Sequence, residues 1–194
     1  MRRALTILAV AAALAVSLGA LAEAASAGVS PTGAKSGTAI VSVAFSGVGV
    51  TCTTATFTGT WGSPTTPPLI VSRDMQLLFS GCRGPGGLAV AIACTNTAVV
   101  TVTGTTVSGI TPMTLTSVSC RLATAGTCLA TVSGGVNAPY NNVPVAMTVS
   151  TAGQTLTVSG STCTSIFPNG STTLSASGGG SFNYFLTPPT TIVY

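Results

Sequence analysis

From Ile40 to the end of the chain, apolar residues recur at about every second position, the period of a half-buried β-strand. The pattern predicts strands at Ile40–Phe45, Val50–Trp61, Leu69–Phe79, Leu88–Val102, Met113–Val118, Cys128–Val132, Val143–Val149, Leu156–Val158 and Phe182–Leu186. Thr and Val dominate them, as a pleated surface with one buried face prefers. Gly- or Pro-rich breaks separate them at short intervals, and no helical period appears. The predicted fold is a single all-β domain over residues 38–194, an antiparallel β-sandwich or barrel. The stretch GVSPTGAKSG, residues 28–37, has no period and predicts a flexible lead-in.

Residues 1–27 follow a different pattern. Arg2 and Arg3 precede an apolar run from Ala4 to Ala22, and Ala25-Ser26-Ala27 supplies the small residues of a cleavage site. This is the layout of a secretory signal peptide, which predicts export and Gly28 as the new N-terminus. The competing reading is a retained membrane helix. It is disfavoured by Gly19 and Glu23, which interrupt a weakly apolar run. With the signal removed, no stable membrane span is expected. The paired arginines leave a twin-arginine route and the general route both open.

All six cysteines, Cys52, Cys82, Cys94, Cys120, Cys128 and Cys163, lie beyond the signal. An even count in an exported chain reads as a disulfide framework. A metal cluster is the rival, but the chain has no His and no C-x-x-C pair. Alternate cysteines open a segment (CTTATFTGT, CTNTAVVTVTGT, CLATVSGG) and close one (LLFSGC, LTSVSC, TVSGSTC), suggesting three related units. Placing Cys52 opposite Cys82 centres a turn on Pro67, within SPTTPPL. The same register sets Ala55 against Phe79, Phe57 against Leu77 and Trp61 against Arg73. Strict alternation, however, puts both cysteines on the face opposite these apolar pairs. Placing Cys94 opposite Cys120 puts a turn at Thr105 to Gly109. The predicted pairing is therefore sequential: Cys52 with Cys82, Cys94 with Cys120, and Cys128 with Cys163.

The opening C-T-x-x-T-x-x-G-T at Cys52, the F-S-G-C closing at Cys82, the L-T-V-S-G-S-x-C at Leu156 to Cys163 and the aromatic, Pro-containing tail from Phe182 to Tyr194 resemble secreted actinobacterial proteins of unassigned function. The resemblance implies an exported, disulfide-containing β-protein and carries no catalytic residues.

Charge changes the picture more than any motif. Only 4% of residues are charged, against about 25% in an ordinary soluble domain. Beyond residue 27 the cations are Lys35, Arg73, Arg83 and Arg121, scattered along the chain, and Asp74 is the single acid side chain. Scattered cations argue against nucleic acid as a partner. Hydrolytic chemistry needs a base beside a nucleophile or a pair of carboxylates, and this inventory supplies neither. The expected protein is not an enzyme and needs no cofactor. A surface with so little charge repulsion favours self-association or attachment to a cell-wall or extracellular polymer.

Four side chains are candidate ligand contacts. Trp61 offers a sugar-stacking platform, although packing beside Arg73 is the plainer reading. Tyr140 centres the loop NAPYNNVP, which otherwise serves as a hairpin connection. Arg83 projects from FSGCRGPGG, whose other expected role is to close one unit and turn into the next strand. Asn169-Gly170-Ser171 reads as a turn rather than a glycosylation site. The expected function is secreted, non-catalytic adhesion or assembly. A carbohydrate- or small-molecule-binding module is the alternative, requiring Trp61 and Tyr140 to be exposed near one another.

Overall fold

The computed structural model describes residues 27–194. Apart from Ala27, the expected export signal lies outside the described residues. The chain runs through β1 (Gly28–Ser30), β2 (Gly33–Ala39), β3 (Val43–Phe45), β4 (Val50–Cys52), β5 (Thr54–Trp61), β6 (Ile70–Ser80), β7 (Val90–Cys94), β8 (Ala98–Val102) and β9 (Ile110–Thr111). It continues through β10 (Met113–Thr124), β11 (Leu129–Asn137), β12 (Tyr140–Asn142), β13 (Val145–Val149), β14 (Thr157–Ser159), β15 (Gly170–Ser171), β16 (Leu174–Ala176), β17 (Phe182–Thr187) and β18 (Thr191–Val193). The described fold is all-β and antiparallel, as the period-two pattern predicts.

The main sheet orders its strands β15-β14-β11-β10-β8-β6-β5-β2-β17-β13-β12-β9. Its path closes on itself. β9 and β10 are separated only by Pro112, and β11 and β12 only by Ala138-Pro139. Thr111 pairs with Tyr140 and Thr114 with Asn137, so the two halves form one continuous ribbon bent at the prolines. One half of the ribbon belongs to the β8–β6 side and the other to the β13–β17 side. This continuity curls the large sheet around one core, a barrel-like form of the antiparallel architecture expected from the sequence. A small sheet of β16, β3 and β4 packs beside it, and β1 pairs with β18.

The hairpin of β5 and β6 has the expected register. Ala55 faces Phe79 and Phe57 faces Leu77. The register does not reach Trp61 and Arg73. β6 is irregular between Ile70 and Met75, and the Gly62 N–H donates to the Val71 carbonyl instead. Trp61 points into the core while Arg73 is exposed.

Residues 28–37 are not a flexible lead-in. Gly28–Ser30 forms β1, and β2 lies in the body of the barrel between β5 and β17. The glycines that read as punctuation make room for a ring. A Cβ on Gly37 would stand 2.2 Å from Cε1 of Phe57, its cross-strand partner. Phe57 stacks parallel to Trp61 at 6.1 Å and meets Tyr184 edge-on at 5.3 Å. These rings fill the barrel interior with Met75, Met113, Leu115 and Met147, all fully buried.

All three disulfides have the predicted connectivity: Cys52–Cys82, Cys94–Cys120 and Cys128–Cys163. Cys94 and Cys120 are direct cross-strand partners in β7 and β10. Cys52 and Cys82 are buried like Ala55 and Phe57, not turned to the opposite face. Thr53 interrupts the strand between β4 and β5, and Gly81, at φ 62°, interrupts the other side after β6. The paired breaks bring both cysteines back to the core side.

Candidate functional site

Trp61 and Tyr140 do come together, with ring centroids 6.1 Å apart. They do so inside the barrel, at 1% and 0% exposure respectively. The Tyr140 hydroxyl donates to the Thr190 carbonyl, and burial raises its pKa above the ordinary phenol range. Neither ring is available to stack on a sugar, so the saccharide platform expected of this pair is not built. Arg73 is exposed on the outside of the barrel, away from both rings. Arg83 is also exposed, but its guanidinium donates to the Gly87 carbonyl at 3.3 Å across the turn at Pro85–Gly87. Its backbone bridges Thr51 and Ala89. The stretch FSGCRGPGG thus closes the Cys52–Cys82 bridge and turns into β7.

The groups with acid–base capacity hold structure. Asp74 Oδ1 accepts the Thr60 N–H at 2.8 Å and the Ser72 hydroxyl at 2.9 Å. The backbone donor foremost keeps this carboxyl below its ordinary pKa. It fills the place of a ladder acceptor where β6 loses register with β5. A carboxylate held in this way is poorly suited to abstract a proton. Lys35 lies on the buried side of β2, 3% exposed, and its Nζ has no hydrogen-bond partner among the described residues. Desolvation lowers its pKa. Both residues border a cavity of about 460 Å³ whose other walls include Ser36, Thr58, Gln76 and Asn96, a neutral hydrogen-bonding surface.

A groove of about 580 Å³ has no charged side chain in its lining. Pro64, Pro67, Pro68, Leu69, Val102 and Tyr194 supply apolar walls, with Thr105 in the lining and Ala27, the last residue of the expected signal, forming part of it. The loop between β5 and β6 forms one side. The end of β8 and the C-terminal strand form the other, joined where the Thr106 N–H donates to the Tyr194 carbonyl. From Thr106 the chain enters a tight turn in which Val107 and Ile110 exchange both backbone hydrogen bonds. Ser108 and Gly109 take φ of 51° and 77°, as a type I′ hairpin turn requires. The Asn142 N–H donates to Gly109, and the Asn142 side chain clasps the Ile192 backbone with two 2.8 Å bonds. Beside it, Val143 and Pro144 form the tip between β12 and β13.

Three apolar side chains stand out from these two tips: Val107 at 66% exposure, Ile110 at 46% and Val143 at 92%. Groove and tips lie at the same end of the molecule, and neither carries a charged side chain. The disulfides gather at the other ends of the same strands, with Arg83 and Arg121 adjacent to Cys82 and Cys120. Sequence reasoning misses this pole because it reads SPTTPPL as a turn and NAPYNNVP as a hairpin connection whose one candidate contact is Tyr140, the buried residue, and not Val143. The available signal was apolar residues, Leu69 and Val143, placed next to loop prolines.

No protein-family model matches the chain, and neither does any curated protein or solved structure.

Proposed function

We propose that the chain is an exported, non-catalytic protein that acts at the cell surface or in extracellular material by adhesion and assembly, using the apolar pole as its contact face. The observation that carries this reading is the uncovered apolar surface at this end, a groove without charged side chains and two turns that expose Val107, Ile110 and Val143. Monomeric proteins seldom leave such surfaces uncovered without an interaction to serve. Three disulfides indicate an oxidising environment, which accords with the secretory pattern of residues 1–27. Among the described residues no helix is long and apolar enough to cross a membrane. The resemblance to secreted actinobacterial proteins points the same way. Asp74 and Lys35, the groups closest to a catalytic inventory, are occupied as a strand plug and a buried side chain.

The test is retention of the purified, exported protein on cell-wall material, extracellular polysaccharide and intact producing cells. Retention that drops when Val107 and Ile110 are changed to Ser supports the reading. Failure to bind any of these surfaces, together with strictly monomeric behaviour, overturns it.

A further inference from the structure

We propose that the cavity of about 460 Å³ on the outer face of β2, β5 and β6 is a binding site for a neutral saccharide chain. The proposal goes beyond the adhesion reading, because this site shares no lining residue with the apolar groove and takes a ligand of opposite character. Its floor is one row of cross-strand neighbours. Thr187 pairs with Ser36, Ser36 with Thr58 and Thr58 with Gln76, so these side chains stand on the same face of β17, β2, β5 and β6. Three strand spacings make the row about 14 Å long. Asn96, in the turn between β7 and β8, forms a wall. That turn is fixed by the Cys94–Cys120 bridge, by the Thr95 N–H donating to the Ser119 carbonyl at 2.9 Å and by a 2.8 Å bond between the Thr95 and Thr97 hydroxyls.

The side chains that meet here are those the fold leaves unused. The chain has eight side-chain amides, six from Asn and two from Gln. Asn137, Asn141, Asn142, Asn169, Asn183 and Gln154 all make hydrogen bonds within the protein. Gln76 and Asn96 make none among the described residues, and both line this cavity. Asp74, the single acid side chain beyond residue 27, lines it too. Its Oδ1 is taken by the Thr60 N–H and the Ser72 hydroxyl, leaving Oδ2 to accept from a ligand. Amides and hydroxyls both donate and accept, the inventory that adjacent sugar hydroxyls satisfy. The same inventory disfavours other ligands. The Asp74 carboxylate repels anions, and Lys35 brings no cation to the surface because its Nζ is buried. Among the described residues no group of His, Cys, Asp and Glu could hold a metal ion. All four strands are paired on both sides, so an extended peptide finds no free edge to join. An uncharged polyhydroxyl chain fits, held by hydrogen bonds without an aromatic platform and therefore at an affinity of about millimolar.

The test is NMR titration of the exported protein with short oligosaccharides of cellulose, xylan, mannan and chitin, and with oligogalacturonate as the acidic counterpart. The expected result is saturable binding of at least one neutral oligosaccharide and none of oligogalacturonate. The side-chain amide signals of Gln76 and Asn96 shift on binding, with the backbone signals of Ser36 and Thr58. Asn96→Ala and Gln76→Ala each weaken binding about five- to tenfold. Neither removes an internal hydrogen bond, so both keep the wild-type melting temperature. A double variant, Val107→Ser with Ile110→Ser, binds the oligosaccharide like wild type. A panel that shifts none of these signals, shifts confined to the apolar end, equally tight binding of oligogalacturonate, or folded Asn96→Ala and Gln76→Ala proteins that bind like wild type each overturn the proposal. Retention on cell-wall material through Val107 and Ile110, without binding of any oligosaccharide, overturns the saccharide site and leaves the adhesion reading standing. Oligosaccharide binding with wall retention unchanged in the double variant supports the saccharide site and overturns the apolar end as the contact face.

Discussion

At the scale of single residues, Lys35 is the group most at odds with its surroundings. A charged amine buried without a partner destabilises the folded state, and the folded protein answers by lowering the pKa. The sign of the pH dependence follows. When the folded pKa lies below the unfolded one, the unfolded state binds more protons in the window between them. Stability therefore rises with pH from the lowered folded value towards about 10.4, where the unfolded lysine also deprotonates. Ionisation of Tyr140 and Tyr184, whose pKa values burial raises, works against stability in the same alkaline range. The lysine is isolated by comparing wild type with Lys35→Met. The variant is expected to be more stable by about 1–3 kcal/mol at pH 7, with the gap closing as pH approaches about 10. Urea denaturation across pH measures this. A Lys35→Met protein less stable than wild type at neutral pH would show that the ammonium is stabilised in the fold.

At the scale of elements, β2 and the Cys128–Cys163 unit are the informative pieces. Gly37→Ala forces a methyl group into the Phe57 ring, and β2 lies between two paired strands with nowhere to retreat. The expected loss is about 3 kcal/mol, seen as a lower denaturation midpoint, and Phe57→Leu in the same chain recovers part of it. An additive double variant would mean that the ring is not the obstacle. The third disulfide ties residues 161–169 to the start of β11, helped by the Thr162 N–H donating to Leu129 and the Thr162 hydroxyl donating to Thr127. Replacing Cys128 and Cys163 with Ala is expected to cost about 2–4 kcal/mol. Amide exchange should accelerate first in 161–169, with β5 and β6 remaining protected. These elements also show what the sequence made legible. The β5–β6 register and the three bridges could be read because large apolar pairs and cysteines mark both partners of each contact. β2 could not, since a strand that accommodates a neighbour's ring is written in glycine and looks like a linker. Alternation alone sets Trp61 against Arg73, because it contains no sign of the irregularity between Ile70 and Met75, where the Asp74 side chain replaces a ladder acceptor.

At the scale of the whole molecule, the bent ribbon of β9–β12 creates both the barrel and its polarity. It carries the Val107 and Val143 tips to one end, while the strands it pairs with bring the cysteines and two arginines towards the other. No local pattern encodes this, because the pole is assembled from four separate loops and strand ends that become neighbours only when the ring closes. The uncharged side chains of the pole and the exposed arginines elsewhere respond differently to salt. Contacts made by Arg83 or Arg121 with an anionic surface weaken as sodium chloride screens them, over a Debye length of about 10 Å at 0.1 M. Contacts made by Val143, Leu69 and the groove prolines have no charge to screen, and sulfate strengthens apolar burial. Retention through the pole on an uncharged wall polymer is therefore expected to change less than about twofold between roughly 0.05 and 0.5 M sodium chloride and to tighten in sodium sulfate. Retention measured at matched protein concentration in the two salts distinguishes contacts made by the arginines from contacts made by apolar side chains. Loss of binding in sodium chloride alone would transfer the contact to the arginines, while tightening in sulfate with indifference to chloride assigns it to apolar side chains, and loss of that tightening in Val143→Ser places them at the pole and not at the exposed Ile40.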